Sequence, residues 1–188
     1  MKGIVFTEFL DFAEARLGMA MVDRVIAAAH LPSGGAYTAV GTYPPGELFA
    51  LVGGLAQSTG VPVATLVREF GEHLFARFVA MFPRFFIGID SAFSFLERVD
   101  GVIHQEVRKL YPDAELPRFE TTRTDDGRMR LVYRSERPLA DLAEGLIRGC
   151  GRHFGSALSI TRHELPADDG SAVCFDLACP TPTPQTTR

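Results

Sequence analysis

The chain has 188 residues, of which 46% are hydrophobic and 22% are charged, and its formal net charge is -4. This length can bury the core of one domain, or of one domain built from two subdomains. The negative charge argues against a general nucleic-acid or anionic-membrane surface, for which a basic patch would be expected.

The N-terminus and the cysteines favour a cytoplasmic protein. The first residues are apolar but are interrupted by Glu8 and Asp11, and they lack the basic start and the cleavage site of a signal peptide. No apolar run approaches the length of a membrane-spanning helix, so we expect no membrane insertion. Cys150, Cys174 and Cys179 form neither a CxxC pair nor a disulfide framework, which suits a reducing compartment.

Apolar residues at helical spacing predict helices over most of residues 2–112. The turn-forming segment 31–36 interrupts this pattern, and Gly60 with Pro62 separates two of the later helices. The later helices are expected at about 47–58, 63–81 and 91–110. The last two are expected to end before Pro83 and Pro112, because a proline disfavours helical backbone at the residue that precedes it.

After residue 112 the pattern changes to short segments typical of strands. The expected strands are about 119–124, 129–137, 158–163 and 172–177. Asp126-Gly127 predicts a hairpin turn between the first two, and a helix over about 138–153 separates the two pairs. This order predicts an antiparallel sheet with a helix on one face, so the fold class is α+β. The end of the chain, 179–188, is rich in Pro and Thr and is expected to be disordered.

His104 is the most informative histidine by position. It follows Ile103 at the edge of the apolar stripe of the 91–110 helix, so its ring can emerge beside a buried face. A neutral imidazole on a rigid element beside an apolar slot is the kind of ligand that holds haem iron. A single helical histidine is more often a surface residue, so this pattern alone leaves both interpretations open.

Tyr133, Ser135 and Arg137 form a second polar set. On a strand, alternate residues face the same side, so these side chains should line one face. Two hydroxyls and a guanidinium suit the binding of carboxylates or phosphates, although an exposed polar strand face would have the same sequence. Cys174 with Cys179 and the nearby histidines matches no familiar zinc spacing, so no zinc site is predicted.

These residues resemble the haem–nitric-oxide-binding (H-NOX) family, which is related to the sensor domain of soluble guanylate cyclase. The resemblance covers residues 1–178. It is carried by the Met1-Lys2-Gly3 start, by Phe95–His104 with the family's proximal histidine, by the Y-x-S-x-R motif of Tyr133–Arg137 and by Gly145–Gly149. The histidine and the Y-x-S-x-R motif together, in the family's order, are much more specific than either alone.

The resemblance implies one haem-binding sensor domain over residues 1–178. A helical part, about 1–60, would cover the distal face of a b-type haem (iron protoporphyrin IX), and an α/β part, about 61–178, would lie on the proximal side. His104 would be the axial ligand of the iron, and the Y-x-S-x-R motif would bind the haem propionates. Pro117 would press against the porphyrin.

The resemblance also suggests which gas is bound. Family members that hold O2 carry hydrogen-bond donors on the distal side, especially a tyrosine nine residues after the tyrosine of the Y-x-S-x-R motif, and Leu142 occupies that position here. The distal pocket is expected to be apolar, formed by Val5, Phe9, Leu74, Phe78 and Leu142. Such a pocket favours NO, and CO more weakly, over O2.

The expected function is therefore that of a stand-alone bacterial NO sensor and not of an enzyme. NO binding would weaken the bond to His104 and free its helix, and the resemblance implies a histidine kinase or a cyclic-di-GMP enzyme as the separate partner. One alternative is a haem enzyme, such as a peroxidase or an NO dioxygenase. It would need distal acid–base groups, and the predicted distal wall has none, although His73 could swing in. The other is a haem-free module that binds a carboxylate or phosphate through the Y-x-S-x-R motif.

Overall fold

The computed structural model describes residues 1–167 and 170–179 and confirms the α+β class. Its helices are α1 (Gly3–Leu17), α2 (Met19–Ala28), α3 (Pro45–Thr59), α4 (Val63–Met81), α5 (Ala92–Leu96), α6 (His104–Leu110) and α7 (Ala140–His153). Its strands are β1 (Arg118–Arg123), β2 (Met129–Ser135), β3 (Ser159–Leu165) and β4 (Ser171–Ala178). Of the predicted disordered tail, Cys179 is described, and residues 180–188 lie outside the described residues.

Glycines set the boundaries of the N-terminal helices. Gly18 ends α1 with a φ of 82°, and Gly60 ends α3 with a φ of 73°. Both values are favourable for glycine and costly for other residues, so the chain turns at these points. No single helix among the described residues is long and apolar enough to cross a membrane, although α3 and α4 together, bent by 116°, would pass on length and composition.

The first four helices enclose an aromatic core. Phe6 and Phe9 from α1 and Phe70 from α4 are almost fully buried in it, together with Leu51 and Leu55 from α3. The rings of Phe9 and Phe70 meet edge to face with centroids 5.2 Å apart. The predicted helical stripes therefore converge on one cluster, because each helix places its apolar residues on a single face.

The strands form an antiparallel sheet in the order β1-β2-β4-β3. The helix α7 covers one face of this sheet, and its residues Ile147 and Cys150 share a buried cluster with Val173, Phe175 and Leu177 of β4. The predicted order of two strands, a helix and two strands is confirmed. Residues 173, 175 and 177 of β4 all face α7, because successive side chains of a strand point to opposite faces of the sheet.

The helices α4 and α7 join the helical core to the sheet. They cross at Gly71 and Gly145, and a Cβ atom added to Gly71 would lie 2.7 Å from the carbonyl oxygen of Leu142. The two backbones can approach this closely only because neither position carries a side chain. Helix α4 contributes Leu74 to the aromatic core of the first four helices, here called the helical core, and Phe75 to the buried cluster of α7 and β4, here called the sheet-side cluster. A division of the chain near residue 60 stays a prediction.

The prediction of one continuous helix over 91–110 is wrong. Helix α5 ends at Leu96, and Val99–Ile103 forms a π turn before α6 begins. In this turn the N–H of Ile103 donates to the carbonyl oxygen of Arg98 at 3.0 Å, a spacing of five residues instead of four. The spacing of apolar residues cannot reveal such a turn, because the turn adds only one residue to a single turn of the helix. Wide turns of this kind are frequent at functional sites.

Candidate haem-binding site

A cavity of about 510 Å³ lies between the helical core and the sheet-side cluster. This volume falls within the roughly 300–1,000 Å³ of sites that hold small molecules and cofactors. Most of its lining is aliphatic or aromatic, including Ile4, Phe82, Phe86, Leu116 and Leu146. The polar residues that line it are Lys2, Thr42, His104, Tyr111, Asp113, Glu115, Tyr133, Ser135 and Arg137. The cavity is therefore an apolar slot whose lining includes a small number of polar residues.

His104 is the first residue of α6, directly after the π turn, and it lines the cavity. Its side chain is 12% exposed, and Nδ1 is buried without a hydrogen-bond partner among the described residues. Burial lowers the pKa of His104 below 6.5, and the carboxylate of Asp100 partly opposes this effect. The imidazole is therefore neutral at pH 7, which is the form that can coordinate a metal.

Tyr133, Ser135 and Arg137 all line the same cavity. The hydroxyl of Tyr133 donates to the carbonyl oxygen of Arg137 at 3.4 Å, and the backbone N–H of Arg137 donates to Oγ of Ser135 at 3.1 Å. Burial raises the pKa of Tyr133, so its hydroxyl keeps its proton. The set can offer hydroxyl and guanidinium donors to a carboxylate.

Residues 111 and 113–117 line the cavity, and two ion pairs hold this segment, one near its start and one near its end. The ammonium of Lys2 pairs with Asp113 at 2.7 Å, and Thr42 donates to the same carboxylate at 3.1 Å. Near the other end Glu115 accepts a hydrogen bond from the Arg137 guanidinium through its carbonyl oxygen and pairs with it through its carboxylate. Lys2 and Asp113 were missed by the sequence reasoning, since no local pattern connects residues 111 positions apart.

The residues predicted for the distal wall fall into two groups. Four of them line the cavity, namely Val5, Leu74, Phe78 and Leu142. Pro117, which was predicted to press against the porphyrin, lines it too. Phe9 does not: it is fully buried, and its ring packs on Phe70 and Phe12 in the helical core. The family resemblance, and not the helical spacing, implied that Phe9 belongs to the distal wall, and this role stays a prediction.

The residues around the cavity fit a haem. An apolar slot suits the porphyrin, a neutral buried imidazole suits the iron, and Tyr133 with Arg137 suits carboxylate groups. A site for a bare metal ion has no comparable support, since no group of three or more His, Cys, Asp or Glu in the described parts of the chain could hold one. His163 and Cys174 are paired across β3 and β4, but within the described ranges they belong to no group of three such residues that could hold a metal ion.

Comparison with known proteins leads to the same family that the sequence motifs resemble. A model of the Haem-NO-binding family matches residues 2–162. The structure is similar to that of the unliganded Fe(II) H-NOX protein from K. algicida, with a TM-score of 0.89, 34% identity and coverage of 96% of this chain and 97% of that chain. The comparison with curated proteins found no match.

Two further H-NOX structures were solved with a diatomic ligand. The S. oneidensis protein in the Fe(II)NO state is 28% identical, with a TM-score of 0.88 and coverage of 96% of this chain and 100% of that chain. The IWP-051-bound protein from Shewanella woodyi in the Fe(II)CO state is 37% identical, with a TM-score of 0.81 and coverage of 100% of this chain and 97% of that chain. The family model and these structures show that the chain belongs to the haem–NO-binding family.

Proposed function

We propose that the chain is a haem-based sensor of nitric oxide, with His104 as the axial ligand of a b-type haem and with Tyr133, Ser135 and Arg137 as the ligands of its propionates. One observation supports this most directly: a neutral, buried imidazole and a carboxylate-binding set line the same apolar cavity. The iron of the haem, when bound, supplies the coordination site for the gas.

The chemistry of the distal wall supports NO as the ligand. Val5, Leu74, Phe78 and Leu142 present only hydrocarbon groups to the cavity. Haem proteins retain O2 with the help of a hydrogen-bond donor near the ligand, whereas NO needs none. His73, the acid–base group that a haem enzyme would use, does not line the cavity, and its Nε2 lies 3.7 Å from Glu8. The wall therefore favours a sensor over an oxygen-using enzyme.

The position of His104 supports a route for the signal. Because His104 begins α6 and follows the π turn, any displacement of its imidazole acts on both elements. Val102 in the π turn is 48% exposed and Leu110 at the end of α6 is 55% exposed, so movement here alters the protein surface. A gas biases such a change only through its different affinity for the two conformations. We propose a cytoplasmic histidine kinase or cyclic-di-GMP enzyme as the partner, as the family resemblance implies.

The experiment that tests this function is absorption spectroscopy of protein expressed with ample haem. The wild type should show a Soret band, which His104→Ala should lose and added imidazole should restore. His163→Ala is the matched control, because His163 lies on the sheet face away from the cavity and should leave the band unchanged. The reduced wild type should bind NO tightly and form no stable O2 complex. A colourless wild type, or an unaltered band in His104→Ala, would contradict the proposal.

A further inference from the structure

A charged cluster lies behind the distal wall, where α1 packs on α4. Glu8 is only 5% exposed, yet its carboxylate accepts two hydrogen bonds from Arg77, at 2.6 Å from Nε and 3.2 Å from Nη2. The Nε2 atom of His73 is buried, has no hydrogen-bond partner among the described residues and lies 3.7 Å from the same carboxylate. None of the three residues lines the cavity.

A buried carboxylate restricts the helices that surround it. Removing Glu8 from water is costly unless a cation satisfies its oxygens. Arg77 does so through two parallel hydrogen bonds, and this two-point geometry limits both rotation and sliding of the partners. Because Glu8 belongs to α1 and Arg77 to α4, the pair constrains how α1 packs on α4.

The same two helices carry Val5, Leu74 and Phe78 of the distal wall, each within about one turn of this pair. Glu8 follows Ile4 and Val5 by four and three residues, so it lies near them along α1. Arg77 is three residues after Leu74 and directly precedes Phe78. All four of these neighbours line the cavity. The position of the wall therefore depends on the packing that the Glu8–Arg77 pair constrains.

We propose that Glu8 is a positioning residue for the distal wall: its ion pair with Arg77 sets the α1–α4 packing and thereby the environment of a gas in the cavity. Glu8 acts through Val5 and Leu74 without touching the ligand. The inference rests on the proposed function, because it concerns how the bound gas is surrounded.

A second ion pair provides a matched control. Arg16 of α1 pairs with Glu69 of α4, so this pair also joins the two helices. Compared with the Glu8–Arg77 pair, it lies about two turns farther from the wall along α1 and about one turn farther along α4, and neither residue lines the cavity. Glu69→Gln thus removes a comparable link between α1 and α4 at the end that carries no wall residue.

The test compares Glu8→Gln, Glu69→Gln and wild type as ferrous CO complexes. Glu8→Gln should shift the C–O stretching frequency and change the CO dissociation rate between about 2-fold and 30-fold, the range expected for a residue that acts through packing. Glu69→Gln should lower thermal stability and leave both CO measurements unchanged. If Glu8→Gln does not fold, Arg77→Lys replaces it, because it keeps the charge but loses the two-point geometry, and it should shift the frequency in the same way.

Hydrogen exchange of the haem-free proteins is an independent measurement. Glu8→Gln should accelerate exchange at the start of α1, near Val5, whereas Glu69→Gln should accelerate it at the end of α1, near Arg16. A CO spectrum in Glu8→Gln equal to that of the wild type, or the same shift in both variants, would overturn the positioning role. If the wild type forms no CO complex, the proposed function fails, and equal exchange near Val5 in wild type and Glu8→Gln would then overturn the inference.

Discussion

The Oδ1 atom of Asp100 lies 3.6 Å from Nδ1 of His104 and accepts the backbone N–H of Phe119 at 3.2 Å. One carboxylate therefore links the π turn, the imidazole and the start of β1. The second nitrogen of a metal-ligating histidine is usually oriented by a partner of this kind. In the proposed haem complex, Asp100 would take that place beside His104.

The first prediction concerns the protonation of His104 in the haem-free protein. Its pKa should lie below the ordinary value of 6.5, because burial disfavours the charged ring. As the pH falls below about 6.5, the unfolded chain binds the proton first, so the stability that neutral His104 contributes is complete above this pH and declines below it. NMR titration of the histidine signals measures the pKa, with His104→Gln to assign the signal.

Asp100→Asn is the informative variant for this titration. The carboxylate raises the pKa of His104 against the effect of burial, so its removal should lower that pKa further. A His104 pKa above 6.5 in the wild type would show that burial is not the dominant effect.

The second prediction concerns the anchoring of the haem propionates. Arg137→Ala should raise the rate of haem loss by about 10-fold to 100-fold, the value of a hydrogen bond to a charged group. Arg134→Ala is the control, because Arg134 lies on the exposed side of β2 and pairs only loosely with Glu120 at 3.7 Å. Transfer of haem to an excess of a tight-binding apoprotein measures the rate. Equal rates in the two variants would remove Arg137 from the site.

The third prediction concerns gas selectivity. Leu142→Tyr places a hydroxyl at a position that lines the cavity, and this donor should slow O2 dissociation by about 10-fold to 100-fold. Leu142→Phe adds the ring without the hydroxyl and should not stabilise O2. Stopped-flow measurement of O2 loss from the reduced proteins distinguishes the two. Stable O2 binding by Leu142→Phe would mean that ring size, and not the donor, controls selectivity.

The fourth prediction concerns the crossing of α4 and α7. A Cβ atom on Gly145 would overlap the carbonyl oxygen of Arg68, so Gly145→Ala should lower the free energy of unfolding by about 1–3 kcal/mol. Gly53 also lies inside a helix, but a Cβ there meets no atom within 4 Å. Gly53→Ala should therefore raise the free energy of unfolding by about 0.5–1 kcal/mol. Urea unfolding measures both, and a loss of stability in each variant would contradict the packing argument.

Several elements were predictable because their signals are local. The helix over 63–81 has the predicted bounds, since Pro62 and Pro83 flank a regular apolar stripe. The hairpin of β1 and β2 formed around Asp126-Gly127, where Gly127 has a φ of 76°. The break between α5 and α6 could not be predicted, because a π turn leaves the spacing of the apolar residues almost unaltered.

The candidate site was predictable in part. The types and spacing of His104, Tyr133, Ser135 and Arg137 indicated their chemistry before the fold was known, and the structure places all four around one cavity. Phe9 lies in the helical core and is not among the residues that line the cavity, so its predicted place in the distal wall stays a prediction. An apolar residue on a helix face is buried in either location, so its periodicity could not separate the two.

The sequence by itself determined the order of helices and strands and the residue types that can bind a haem, since both follow from neighbours along the chain. Only the tertiary structure decided which of these residues line one cavity and that Glu8 pairs with Arg77 and Lys2 with Asp113. Such pairs depend on how closely two helices approach, as at Gly71 and Gly145, and on how far their faces are turned. These quantities belong to the packed molecule, because no local periodicity encodes the distance between residues far apart in the chain.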